Sequence, residues 1–189
     1  NNGILVKTLD ELFNILTVLK SKKVTSNKLA IITNAGGLGV MATDQLINTN
    51  FNLYQLTKNE KKQFKFLPTA ASLNNPIDIL GDADSLRYTS TLEKLIKIKD
   101  IGSILIMLTP QVMTDSLEIA KGIVKLSKKT NKNIVCSFVG YRQVKSAVQY
   151  LNDNNVACVT TPSQAITALN YLYNYSSFKS ENIKALRVN

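Results

Sequence analysis

"KLAIITNAGGLGVMATDQLI", Lys28 to Ile47, joins an apolar run, a glycine-rich turn and the start of a helix. Leu29 to Thr33 is apolar enough to read as a strand covered on both faces. Asn34-Ala35-Gly36-Gly37-Leu38-Gly39 then turns the chain into a helix that runs to about Thr49. A strand that feeds a helix through such a turn is the opening unit of a parallel α/β sheet, and ligands meet such a sheet at the carboxyl ends of its strands. Glycines there permit positive φ and remove the Cβ atoms that would hold an anion away. The N–H groups of the helix's first turn, with their partial positive charge, would face that anion. A phosphoryl group fits this description. The spacing alone does not single it out: it is neither GxGxxG with an acidic residue about 20 positions on nor a P-loop with its Lys-Ser/Thr. The same glycines read equally well as a tight turn that lets helix pack closely on strand.

Outward from this unit, the alternation of elements is regular. "TLDELFNILTVLKS", from Thr8, opens with a capping Thr-x-x-Glu and carries Leu9, Leu12, Phe13, Leu16 and Leu19 at helical spacing. "NLYQL" reads as a second strand and "NEKKQFKFL" as a short basic helix. "PTAASLNNPIDILGDAD" reads as a shaped loop because of its prolines, paired asparagines and glycine. Then "LRYTSTLEKLIKIK", "DSLEIAKGIVKLSKK", "RQVKSAVQYLNDN" and "SQAITALNYLYNY" read as amphipathic helices. One strand lies between each successive pair of these helices: "SILIML", "NIVCSFV" and "ACVTT". Apolar strands separated by such helices predict an α/β fold, a flavodoxin-like doubly wound parallel sheet of about five strands. The expected organisation is a linker and N-terminal helix over 1–26, the α/β domain over 27–175, and a tail or linker over 176–189.

Composition narrows the function classes. Of the 189 residues, 44% are apolar and 19% charged, enough to fill one core. The apolar runs are far shorter than the roughly 18 residues of a membrane span, and no secretory leader pattern opens the chain. Cytoplasmic placement follows, and the two cysteines agree: Cys136 and Cys158 lie in strand-like segments without metal or redox spacing, so buried reduced thiols are expected. The net charge of +10 arises from 23 Lys and Arg against 13 Asp and Glu. The densest groups (Lys58, Lys61, Lys62, Lys65 and Lys125, Lys128, Lys129, Lys132) fall on predicted helix faces turned to water, and aromatics do not interleave with them as nucleic-acid stacking requires. No nucleic-acid or membrane partner is expected. The chain has no histidine, which excludes a Ser-His or Cys-His pair, a histidine metal site and a histidine base within it. No metal site and no catalytic residue are assigned to the chain itself.

Beside the glycine turn, two loops supply candidate supports. Asn75, held extended before Pro76, and Asp78, an acceptor for backbone N–H groups, lie in the first, where Asp82 or Asp84 reads as a helix cap. Thr109 and Gln111 lie in "TPQVMTD", where Thr114 or Asp115 reads as the cap.

Four motifs in order, "KLAIITNAGGLGVMATDQL", "NNPIDILGDAD", "ILIMLTPQVMTD" and "VCSFVG", resemble the carboxyl-terminal ligase-type domain of the ADP-forming acyl-CoA synthetases, a family related to succinyl-CoA synthetase. The likeness runs from "GILVKTLDEL" to "TTPSQAITAL". It implies an enzyme that converts acyl-CoA, ADP and phosphate to acid, CoA and ATP through a phosphohistidine. That histidine is carried by another domain, and an ATP-grasp domain passes its phosphoryl group to ADP. It implies that Asn34, Ala35, Gly36, Gly37, Leu38 and Gly39 hold the phosphoryl group. The whole enzyme would use CoA, ADP or ATP, phosphate and Mg, none bound by this domain alone. The partners implied are a CoA-binding, phosphohistidine-bearing domain and the ATP-grasp domain, with oligomeric state open. The chain would then be a fragment cut at the linker after the histidine-bearing domain, inactive in isolation. The alternative is a non-catalytic regulatory or scaffolding relative, as in fusions to protein lysine acetyltransferases. A flavin-binding flavodoxin is disfavoured by a first turn poor in Ser and Thr, and a phosphoacceptor receiver by the missing acidic pair.

Overall fold

A computed structural model of the chain describes the backbone of residues 5–186 and the side chains of residues 5–176. In chain order the elements are α1 (Leu9–Leu19), β1 (Lys28–Thr33), α2 (Gly36–Leu46), β2 (Asn52–Leu53) and α3 (Lys58–Lys61), the last continued by a 3-10 turn over Lys62–Phe64. They continue with β3 (Ile77–Asp78), α4 (Ser85–Leu95), β4 (Ser103–Leu108), α5 (Ser116–Ser127) and β5 (Asn133–Phe138). A second 3-10 turn over Tyr141–Gln143 leads to α6 (Lys145–Asp153), β6 (Ala157–Val159) and α7 (Pro162–Leu186).

All strand pairs are parallel, in the order β2-β1-β4-β5-β6. The sixth strand, β3, shares with β2 one edge of β1: β2 pairs at Lys28 and Leu29, and β3 at Ile32 and Thr33. Strand order thus reverses between β1 and β4, the switch point at which flavodoxin-like sheets open a crevice.

Alternating side chains fill two cores. Ala30 and Ile32 of β1, Ile104, Ile106 and Leu108 of β4, and Ile134, Cys136 and Phe138 of β5 pack with Tyr88, Leu92, Ile119, Ile123, Ala147 and Leu151 from α4, α5 and α6. On the other face Leu29, Ile31, Leu105, Met107 and Val135 pack with Ile15 and Val18 of α1, Ala42 of α2 and Ile166 and Leu169 of α7. Burial on both faces is why these strands read as unbroken apolar runs.

Helix starts follow the predicted chemistry. Thr8, Thr57, Asp84 and Asp115 accept a backbone N–H at the starts of α1, α3, α4 and α5. The residues left by the sequence as a tail continue α7 as helical backbone to Leu186. "SSFKSENIKAL" contains no glycine or proline to stop the helix. The loop "PTAASLNNPIDILGDAD" contains the two-residue β3, too short for periodicity to reveal.

Candidate functional site

The α2 amino end lies at the carboxyl edge of β1. Thr33 shapes the turn: its Oγ1 accepts from Ala35 N–H at 3.0 Å and donates to Ala35 C=O at 2.9 Å. Ala35 is the N-cap residue, extended at φ −145° and ψ 109°, and makes no side-chain cap. Leu38 and Gly39 N–H groups return to Ala35 C=O. The N–H groups of Gly36 and Gly37 have no partner among the described residues, and both residues are exposed. No acidic side chain lies in the first turn of α2. Two backbone donors at the positive end of an eleven-residue helix therefore face outward.

The glycines act differently from the expectation of positive φ. Gly36, Gly37 and Gly39 are residues of α2, and Gly140 is the one described glycine in the left-handed region. What they supply is space. A Cβ on Gly37 would have no atom within 4 Å, so the position opens to whatever approaches the helix end. A Cβ on Gly39 would sit 3.3 Å from Pro76 Cβ and 3.6 Å from Thr33 Cγ2, so this glycine permits α2 to pack against the β3 loop. A Cβ on Gly36 would lie 3.4 Å from Asp78 Oδ2.

The predicted supports are mostly anchored within the fold. Asn34 is buried; its Oδ1 accepts from Thr109 N–H at 2.9 Å and its Nδ2 donates to Thr109 C=O at 2.8 Å. This reciprocal pair clamps the ends of β1 and β4 together across the switch point. Asn75, also buried, accepts at Oδ1 from Ile31 N–H (2.9 Å) and donates from Nδ2 to Leu29 C=O (2.7 Å) and Tyr54 C=O (2.9 Å). Its amide replaces the missing piece of strand where β2 has ended and β3 has not begun. The Asn75–Pro76 peptide is cis.

Asp78 is half-buried. Its Oδ1 accepts from Leu80 N–H at 2.9 Å, and its Oδ2 lies beside Gly36 with no hydrogen-bond donor among the described residues. Gln111 is exposed, its backbone tied to Thr114. Asp84 and Asp115 are the caps of α4 and α5, while Asp82 pairs with Arg87 at 2.5 Å, which holds its carboxyl below the usual range. The turn, Asp78 and the Asn34–Thr109 clamp thus meet at one edge; Gln111 has no hydrogen bond to them. Thr33 escaped sequence reading, although a threonine two residues ahead of an uncapped turn is the signal that could have found it.

Burial drives the titration of the cysteines and Tyr88. It pushes the Cys136 thiol well up and the Cys158 thiol up to about 12. Burial likewise raises the Tyr88 hydroxyl, which donates to Met107 C=O at 3.0 Å. Among the described residues, no group of three or more Cys, Asp or Glu is placed to hold a metal, and no helix is long and apolar enough to cross a membrane.

Comparison with known proteins gives the family of the chain. The profile of the Ligase-CoA domain family matches residues 29–180. The chain is 31% identical over 179 residues to a 4-hydroxybutyrate–CoA ligase (ADP-forming) of Nitrosopumilus maritimus, covering 94% of this chain and 26% of that protein. It is 38% identical over 178 residues to an acetate–CoA ligase (ADP-forming) of Methanocaldococcus jannaschii, covering 91% of this chain and 25% of that one. A solved dinucleotide-forming acetyl-coenzyme A synthetase 1 of Ca. Korarchaeum cryptofilum, in complex with phosphate and ADP, superposes with TM-score 0.89 at 28% identity, over 98% of this chain and 41% of that chain. The chain spans about a quarter of the length of these curated relatives.

Proposed function

We propose that this chain, which belongs to the Ligase-CoA domain family, is one domain of an ADP-forming acyl-CoA synthetase. In this reading the α2 amino end stabilises a phosphohistidine carried by another domain. The observation that carries it is the uncapped start of α2 at the switch point: Gly36 and Gly37 offer two unpartnered N–H groups, and a Cβ at Gly37 would meet nothing. Preorganised donors aimed at phosphoryl oxygens lower the energy of a transferring group without needing covalent chemistry from the domain that holds them.

Asp78 refines the ligand. A carboxylate next to Gly36 would repel a bare phosphate dianion, since two like charges at contact distance disfavour each other. A phosphorylated imidazole in its protonated, imidazolium form satisfies both groups: its phosphoryl oxygens accept from Gly36 and Gly37 N–H, and the protonated ring nitrogen that does not carry the phosphoryl group donates to Asp78 Oδ2. That hydrogen bond fixes which ring nitrogen carries the phosphoryl group. The histidine must come from outside, because this chain contains none.

The whole enzyme would convert acyl-CoA, ADP and phosphate to acid, CoA and ATP, using Mg, with the ATP-grasp and CoA-binding domains supplied elsewhere. Two buried thiols suit a reducing compartment such as the cytoplasm.

Reconstitution tests the proposal. The 189-residue chain is mixed with the remaining domains, produced without it, and ATP formation from acetyl-CoA, ADP and phosphate is followed. Recovered turnover is expected. If the intact polypeptide also shows no turnover across several acyl-CoAs, the catalytic reading fails and a regulatory domain is the better account.

A further inference from the structure

Helix α1 is apolar on two adjoining faces. Ile15 and Val18 are 3% and 0% exposed and pack into the core shared with α7. Beside them Leu9, Phe13, Leu16 and Leu19 recur at helical spacing and are 72%, 62%, 47% and 37% exposed, with Leu5 ahead of them at 85%. Helix propensity does not require this second stripe, since charged residues would serve as well on a solvated face. The four helical side chains leave roughly 400 Å² of apolar surface in one strip, the size at which a patch on a soluble protein marks an interaction.

The occupant can be chosen by area and charge. Two copies of this chain meeting stripe to stripe would bury about 800 Å² in total, below the roughly 1,200–2,000 Å² of a stable association. Each copy also carries a formal charge of +10, which opposes self-association. A tethered domain needs less area, because the linker supplies an effective concentration in the millimolar range. About three quarters of the length of the related proteins described above lies outside the part that matches this chain, which leaves room for further domains. We infer that the Leu9–Phe13–Leu16–Leu19 stripe is the seat of another domain of the same enzyme, one that presents an apolar surface to α1. This inference does not rest on the phosphoryl reading of α2 and survives its failure.

Thiol labelling tests it cleanly because the native cysteines are buried. Leu9→Cys and Phe13→Cys are each made in the 189-residue chain and in the longer polypeptide, or subunit complex, that holds the remaining domains. Lys125→Cys on the opposite layer is the reference. With a maleimide probe, both α1 thiols should react about tenfold more slowly in the larger protein than in the isolated chain, while Lys125→Cys reacts equally in both. Equal rates at α1 in the two settings would overturn the inference. So would protection in the isolated chain that grows with its concentration, which would make a second copy the occupant.

Discussion

Substituting Gly37 separates what the α2 amino end needs for stability from what it needs for a ligand. Gly37 is a helical residue without positive φ, and a Cβ there would meet no atom within 4 Å. Replacing glycine by alanine in such a position removes unfolded-state freedom and stabilises a helix by about 0.5–1 kcal/mol. For a domain of this size, that corresponds to a rise in Tm of roughly 1–4 °C. Valine has a helix propensity intermediate between the two, so Gly37→Val should melt within about 2 °C of the parent. Its two methyl groups, however, would occupy the space in front of the Gly36 and Gly37 N–H groups. Removing one preorganised donor from a transferring group costs about 10²–10³ in kcat. An obstruction that displaces the anion without deleting the donors should cost at least about tenfold. The two variants should therefore part company: Gly37→Ala gains stability, while Gly37→Val keeps stability and loses turnover. Melting is followed by circular dichroism on the isolated chain, and ATP formation is measured in the assembled enzyme. Valine with parental turnover would refute the phosphoryl cradle. Alanine with a lowered Tm would refute the premise that the position is open.

Asn75→Ala should cost about 2–4 kcal/mol in urea denaturation of the isolated chain, because it leaves the buried Ile31 N–H and the part-buried Tyr54 C=O without a partner. A loss below 1 kcal/mol would show that water replaces the amide. Gly122→Ala should destabilise by about 1–3 kcal/mol, since its Cβ would fall 2.3 Å from Thr89 Cγ2, and Thr89→Ser, which deletes that methyl, should restore most of the loss in the double variant. Additive losses would mean that α4 and α5 do not meet there. Cys136 and Cys158 should be silent to a disulfide reagent at pH 8 in the folded chain, while unfolding exposes both. Their raised thiol pKa values contribute stability that is present below the unfolded value near 9 and is lost as pH rises from there towards about 12. Stability that is flat between pH 9 and 11 would contradict this assignment.

The layered architecture was legible because each central strand is buried on both faces and α1, α4, α5 and α6 carry amphipathic stripes, two patterns that depend on local sequence alone. The position of the glycine turn followed for the same reason. Its physics did not: from sequence, glycine suggests a backbone that needs positive φ, whereas here the helix begins early enough to absorb all three glycines, and absent side chains are what matter. Asn34, Asn75 and Thr109 show the corresponding limit for side chains. Each was singled out for its loop, but Asn34 and Asn75 use their amides to bind backbone groups 21 to 75 residues away. No spacing rule reveals such a partner, because the partner is defined only once β1, β3 and β4 are side by side. Asp78 differs from these three in keeping one oxygen without a donor beside Gly36. A half-buried acceptor left open next to two open donors suits a ligand that carries both charges' complements. On the proposed reading a phosphorylated, protonated imidazole suits this edge better than phosphate alone, and Asp78→Asn should impair transfer from the histidine more than it impairs folding.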